Sequence, residues 1–286
     1  MRGEVGELTD VVRSDKPRTP TLMSVYDLHF TAGLLAKPKP TSLVVATTLD
    51  HFVIVTYLVD PATLRGHVHP RFELDCIEIE GAGKRALVSV VTFLDRDFRL
   101  LKCPWPKSRF GQTNYRAYVT DTVTGEHVAW FFGTCLDSLS VAVPRHVWGL
   151  PWHRGRMQFD CQYDDKATRY ESFVIETQSS FAPAHLEIED LGVAPRELAG
   201  FPNLEAGLVL LTHPTRGVFF RRDGSVGTYS IWHDRLDPTV GRARRASYPL
   251  LADLGLVAEG SVDNVHSVLI QPSVEFLIYL PPSAAF

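Results

Sequence analysis

Along most of the chain, apolar and polar positions alternate with a period of two. HFVIVTYLVD, FELDCIEIE, RALVSVVTFLD, TNYRAYVTDTV, HVAWFFGTCLD, RMQFDCQYD, TRYESFVIET, GVFFRRD, VGTYSIWHD, VHSVLIQP and VEFLIYLPP are each rich in β-branched and aromatic side chains, bounded by Gly, Pro, Asn or Asp. Each reads as a β-strand. TDTVTGEHVAW and FFRRDGSVGTY place TG and DG between apolar runs, as hairpin turns require. This succession of antiparallel strands predicts a mainly β (β-rich α+β) fold with a large sandwich or barrel-like core.

Helix signals are few. Asp137 is placed to cap a helix over SLSVAV, Pro144 to open a second towards Trp148, and Ser247 to start a third in SYPLLADLGLVAEG that ends near Gly255 or Gly260. Residues 1–40 are polar and proline-studded (KPRTP, AKPKP) and read as a loose arm with one short helix around Met23 to Leu35. Residues 41–286 read as a single β domain. Within it, Phe181 to Asn203 reads as a long connection between two groups of strands.

Composition narrows the function classes. With 286 residues, 45% hydrophobic and 22% charged, the chain has ample material for a core. A net charge of −4 lacks the basic surplus that binds a phosphate backbone, so no nucleic-acid partner is expected. The longest apolar runs, Phe52 to Val59 and Ala86 to Leu94, are well short of the roughly 20 residues of a spanning helix, so no membrane partner is expected. The N-terminus lacks the apolar segment of a secretory signal, which suggests a cytoplasmic protein. Cys76, Cys103, Cys135 and Cys161 form no C-x-x-C pair and read as buried or half-buried thiols. His67 and His69 in GHVHP form a possible metal half-site, but no third histidine lies nearby and a polar loop before Pro70 is the preferred reading. No metal and no cofactor are therefore expected. EGAGKR is too short for a phosphate loop, and Ser138 and Ser140 lack a nucleophile-elbow context.

Two stretches carry candidate chemistry. Arg116 sits inside the strand pattern NYRAYV, with Asn114 and Tyr118 on its face by alternation. It is either an outward arginine, solvated or tied to an acid such as Asp137 or Glu78, or one that points into a barrel mouth to hold a carboxylate or enolate oxygen. VPRHVWGLPWHRGRM, residues 143–157, crowds arginines, histidines and tryptophans among glycines and prolines. Trp148 and Trp152 suit a core or a pocket wall. His146 and His153 are either surface caps or acid–base groups near neutral pH.

Taken together, several blocks resemble the YqjF-like family of uncharacterised bacterial proteins. They are HPRFELDCIEIEGAGKRALVSVVTFLD, TNYRAYV, HVAWFFGTCLDSLSVAV with GLPWHRGRM, and VHSVLIQPSVEFLIYLPP. The resemblance covers roughly residues 52–282 and is loose over 181–245. It implies membership of the acetoacetate-decarboxylase-like superfamily, hence a partly closed β barrel around a deep apolar pocket. In true decarboxylases of that superfamily a lysine in a Y-P-K-K-L-G-Y-P stretch forms a Schiff base with a keto acid. Val143 to Val147, with Gly149 and Pro151, is the part of this chain most similar to that stretch, and Arg145 and His146 stand where the lysines would be. A guanidinium offers no free amine lone pair to a carbonyl, so imine chemistry is blocked there. The other lysines, Lys16, Lys37, Lys39, Lys84, Lys102, Lys107 and Lys166, fall in the polar arm, turns and a probable loop.

The expectation is a small-molecule pocket protein for an anionic ligand: a non-imine lyase, cyclase or dehydratase acting on a keto or polyketide-like substrate, or else a non-catalytic binding protein. Arg116, Arg145 and His146 are the candidate catalytic residues. Asn114, Tyr118, Phe132, Trp148, Trp152 and His153 are the candidate substrate-binding residues. Assembly into a homo-oligomer is left open.

Overall fold

The alternation sorts onto the two faces of one long sheet in the computed structural model, which describes residues 25–40 and 43–286. Its strands are β1 (Leu43–Val59), β2 (Phe72–Leu74), β3 (Cys76–Ile79), β4 (Gly83–Leu100), β5 (Cys103–Asp121), β6 (His127–Leu136), β7 (Trp152–Arg154), β8 (Arg156–Asp164), β9 (Arg169–Gln178), β10 (Ala184–Asp190), β11 (Arg216–Phe220), β12 (Val226–His233), β13 (Thr239–Ser247) and β14 (Val265–Ala284). The helices are α1 (Ala32–Leu35), α2 (Pro61–Arg65), α3 (Ala142–Val147), α4 (Leu204–Thr212) and α5 (Pro249–Asp253). The order β1-β4-β5-β6-β11-β12-β14 closes into a seven-stranded barrel because β14 also pairs with β1, from Leu43↔Leu280 to Tyr57↔Val265. Closure leaves no free barrel edge, which is how a sheet of this size avoids edge-to-edge association. The strands β13-β10-β9-β8 continue from β14 as a second layer.

The two faces build two cores. Val53, Val55 and Tyr57 of β1, Val88 and Val90 of β4, and Tyr115 and Ala117 of β5 point outward and pack against Met157, Phe173, Ile175, Leu186 and Ile188 of the second layer. Phe52, Ile54, Leu87, Val91, Phe93 and Tyr118 point inward and meet the apolar residues of α4. That helix is buried from Ala206 to Thr212 and closes one end of the barrel. Asn203 caps it, its Oδ1 accepting from the Ala206 N–H at 2.8 Å. At its other end the Leu211 carbonyl, beyond the reach of intrahelical donors, accepts from Arg116 Nη2 at 2.8 Å and from the Tyr118 hydroxyl at 3.1 Å.

Several expectations are revised. Phe181 to Asn203 contains β10, which pairs with both β9 and β13. NLEAGLVLLT forms α4, a helix unseen in the sequence because it is apolar on every side and so has no helical period. Ser138 rather than Asp137 caps the 3-10 turn Leu139–Val141 that leads into α3, while Asp137 accepts from the Met157 N–H. The third helix is only Pro249–Asp253. Of the loose arm, residues 1–24 lie outside the described residues, but Val25 and Leu28 are buried beside α4 and the Leu35 carbonyl accepts from Trp232 Nε1 at 3.1 Å. Cys103 is exposed, unlike the other three thiols. Among the described residues, no helix is long and apolar enough to cross a membrane.

Because α4 is held by packing on all sides, truncating it leaves a void. Leu211→Ala should lower the unfolding free energy by roughly 2–5 kcal/mol in chemical denaturation, against under about 0.5 kcal/mol for the exposed Leu139→Ala. Equal costs would contradict the plugged barrel.

Candidate functional site

Above the C-terminal end of α4 the barrel interior opens into a cavity of about 70 Å³. Leu49, Phe52, Val91, Phe93, Phe131 and Phe276 form much of its apolar wall. Polar groups gather at its two ends.

Arg116, only 6% exposed, lies at the inner end beside Thr212. One guanidinium nitrogen is spent on the Leu211 carbonyl and lies 3.3 Å from the Tyr118 hydroxyl, while Nε has no partner. Its charge is felt by two further lining residues, Tyr229 and His233. Burial pushes the Tyr229 phenol up, opposed by Arg116. Burial, then His213 and Arg116, push His233 down to about 3, so the imidazole is neutral at physiological pH. The His233 ring stacks on Phe276 at 4.3 Å and meets the edge of His213 at 4.4 Å, and Nδ1 donates to the Asp234 carbonyl at 2.8 Å. A fixed cation, a phenol and a neutral imidazole therefore line one largely apolar cavity, an arrangement suited to a carboxylate or developing oxyanion.

Asp95 lies at the other end. Its Oδ1 accepts from the Thr47 hydroxyl at 2.8 Å, and its Oδ2 is buried without a partner. Burial raises its pKa to about 7, with the Thr47 hydroxyl pulling the other way. Asp95 and Arg116 are six ladder positions apart along paired strands, about 20 Å between Cα atoms at the rise of a β-strand. Gln112 and Asn114 lie between them; Asn114 Oδ1 accepts from Gln112 Nε2 and from Thr134 Oγ1, both at 2.9 Å.

The structure brings together some of the residues singled out in the sequence and separates others. Arg116 points into the barrel, with Asn114 and Tyr118 on its face as alternation requires; Asn114 lines the cavity, and Tyr118 lies beneath Arg116. Trp152 lines the cavity, and Trp148 packs behind Phe131 and Leu150. The fork of Arg116 with Arg145 does not form. Arg145 and His146 stand in the last turn of α3 outside the cavity lining, and Arg222 Nη1 donates to His146 Nδ1 on the surface at 3.2 Å. A six-residue helix shows its last turn to solvent here, whereas the resemblance placed that turn in a pocket. His153, one residue from Trp152 on β7, faces away and stacks on Phe181 at 3.5 Å; burial, then Arg145, push its pKa down to about 4. Phe132 also faces outward, towards the second layer. Register explains this: Tyr115 pairs with Gly133 but Arg116 with Phe131, so Phe132 is the extra residue of a β-bulge and Phe131 takes the inward position.

Asp95, Tyr229 and His233 were not singled out, although the alternation carries them. Val91, Phe93 and Asp95 in VVTFLD, and Tyr229, Ile231 and His233 in TYSIWHD, each share a face and end on a polar residue. The six described lysines, Lys37, Lys39, Lys84, Lys102, Lys107 and Lys166, are all exposed; Lys16 lies outside the described residues. Among the described residues, no group of three or more His, Cys, Asp or Glu side chains gathers to hold a metal.

Residues 46–275 match the profile of DUF2071, described as an uncharacterized conserved protein (COG2071). The chain belongs to the DUF2071 family. No curated protein matches it. Among solved structures, the chain is similar to an acetoacetate decarboxylase from Legionella pneumophila, at 14% identity and a TM-score of 0.53 over 93% of this chain and 97% of that one. It is similar to an acetoacetate decarboxylase-like enzyme from Sphingomonas wittichii at 11% identity, with a TM-score of 0.54 over 86% and 95% of the two chains. The enduracididine biosynthesis enzyme MppR, solved with pyruvate, is similar at 13% identity, with a TM-score of 0.53 over 87% and 92%. This DUF2071 protein therefore has the acetoacetate decarboxylase-like fold.

The elevated pKa of Asp95 has a measurable consequence. A carboxyl that titrates near 7 when folded and near 3.9 when unfolded contributes its stability fully below about pH 4 and loses it as pH rises through 7. Wild type should lose roughly 4 kcal/mol relative to Asp95→Asn between pH 4 and pH 8.5 in denaturant titrations. A difference independent of pH would show that Asp95 ionises normally.

Proposed function

We propose that this DUF2071 protein takes an anionic keto or polyketide-like molecule into its barrel and acts on it without imine chemistry, as a lyase, cyclase or dehydratase. The observation that carries this reading is Arg116, a buried guanidinium that lines a largely apolar cavity and is only partly engaged by the Leu211 carbonyl. Arg116 holds the carboxylate or enolate oxygen, and the Tyr229 hydroxyl and neutral His233 supply further polar contacts to it. Asp95, near the midpoint of its titration at neutral pH, is placed to give or take a proton at the far end of a bound chain. The span from Arg116 to Asp95 favours an extended substrate over a short keto acid, because a short one held at the guanidinium does not reach the carboxyl. The exposure of every described lysine supports chemistry without a Schiff base.

A second reading has its own support. Asn114 is already engaged by two partners and the wall is largely apolar, as in a protein that only binds its ligand. Asp95 separates the two readings, since a binder does not need its proton.

Native mass spectrometry of the purified chain, followed by binding of 3-oxo carboxylates of increasing chain length, tests the assignment. Arg116→Gln removes the charge and should weaken carboxylate binding by about 10-fold or more, while the Tyr118 hydroxyl still donates to the Leu211 carbonyl; circular dichroism of the variant checks that the barrel remains folded. Asp95→Asn should abolish turnover and spare binding; intact turnover removes its acid–base role, and absence of turnover in the wild type favours the binding protein. Borohydride added with a keto acid should trap no adduct, and a trapped one would overturn the non-imine mechanism.

A further inference from the structure

Exposed apolar side chains are not scattered evenly over this protein. Of the twelve large exposed ones among the described residues, six fall in two short segments: Leu100, Leu101 and Trp105 in the β4–β5 hairpin, and Leu139, Val143 and Val147 on the 3-10 turn and α3. Trp105 is 79% exposed, Leu139 72% and Val147 68%. Leu139, Val143 and Val147 recur every four residues. The segments are neighbours, because Phe98 and Phe110 at the hairpin base pack with Leu136, Val141 and Trp152 in one cluster. Phe98 and Trp152 also line the barrel cavity. The hairpin tip is level with the start of β1, where the Leu101 N–H donates to the Val44 carbonyl at 2.7 Å. The apolar patch therefore forms a rim over side chains that line the cavity.

Charge in the hairpin is equally one-sided. From Phe98 to Phe110 the sequence is FRLLKCPWPKSRF, with Arg99, Lys102, Lys107 and Arg109 and no acid, in a chain of net charge −4. Lys102 and Arg109 are exposed, and among the described residues Lys107 is the one of the four that meets a carboxylate, Asp97 at 3.0 Å. We propose that this rim docks on an anionic lipid surface, with Leu100, Leu101 and Trp105 entering the headgroup region and the surrounding Lys and Arg side chains meeting lipid phosphates. A tryptophan and aliphatic side chains ringed by cations is the composition that binds at such an interface. Aliphatic Leu139, Val143 and Val147 offer no stacking surface for bases, which separates this face from a nucleic-acid site. A two-fold contact with a second copy would set the same cations against each other. The expectation of no membrane partner came from the absence of a spanning run, and docking on a surface needs none.

This surface does not depend on the chemistry assigned to the barrel, and its test leaves that chemistry untouched. Full-length protein should co-sediment with vesicles of mixed phosphatidylglycerol and phosphatidylcholine, and about 10-fold less with phosphatidylcholine alone or in half-molar salt. Leu100→Ser/Leu101→Ser/Trp105→Ser and Lys102→Glu/Arg109→Glu should each abolish co-sedimentation with unchanged melting temperature, since these side chains are exposed. Absence of binding to anionic vesicles overturns the proposal. So does a dimer in size-exclusion chromatography that the apolar triple substitution dissociates, which would give the face to a second copy of the chain.

Discussion

The bond from Arg116 to the Leu211 carbonyl joins the barrel wall to the helix that closes it. Burying a guanidinium is costly unless its donors are engaged, and a helix C-terminus buried without donors is costly for the opposite reason. Each defect relieves the other. The Tyr118 hydroxyl, also bonded to Ser89 at 2.7 Å, reaches the same carbonyl and fixes its position. With part of the guanidinium thus committed, the uncommitted remainder is set at the inner end of the cavity, where the apolar wall does little to screen its charge. One interaction thereby seals the barrel and supplies the charge of the candidate site.

Polarity in the cavity is divided between two ends. Arg116, Tyr229 and His233 make the inner end cationic and rich in hydrogen-bonding groups, while Asp95 at the other end carries a carboxyl that is raised by burial and has no cation bonded to it. Had the two charges been close, the guanidinium would have held Asp95 ionised; the separation along the strands is what leaves its proton poised near neutrality. Between them Gln112 and Asn114 interrupt an otherwise apolar wall of Leu49, Phe52, Val91, Phe93, Phe131 and Phe276. Distance here keeps the two charges apart, and on the proposed reading it sets the length of ligand that bridges them.

The fold is shared with acetoacetate decarboxylase-like enzymes at identities of 11–14%, which fixes architecture and leaves chemistry to the side chains. In this chain the stretch most similar to the decarboxylase lysine motif forms α3 at the rim, and the polar groups of the interior come from β4, β5 and β12. Near α3 the surface presents apolar and basic side chains to the outside, whereas the cavity carries the Arg116 guanidinium at one end and the Asp95 carboxyl at the other.

Period-two alternation was enough to determine most of the strands, the β class and which residues of β5 share a face, because side-chain direction in a strand alternates with position; which of the two faces turns inward was decided by the closed barrel. It placed Asn114, Arg116 and Tyr118 together correctly, and it carried Asp95 and His233 as the polar ends of inward-facing rows. Tertiary structure decided the rest. A bulge opposite Arg116 exchanged Phe131 for Phe132, α4 showed no period because every side of it is buried, and Arg145 and His146 turned outward with the last turn of a short helix. Register shifts, total burial and the direction of a helical turn depend on contacts between segments far apart in the chain, and no local pattern encodes those.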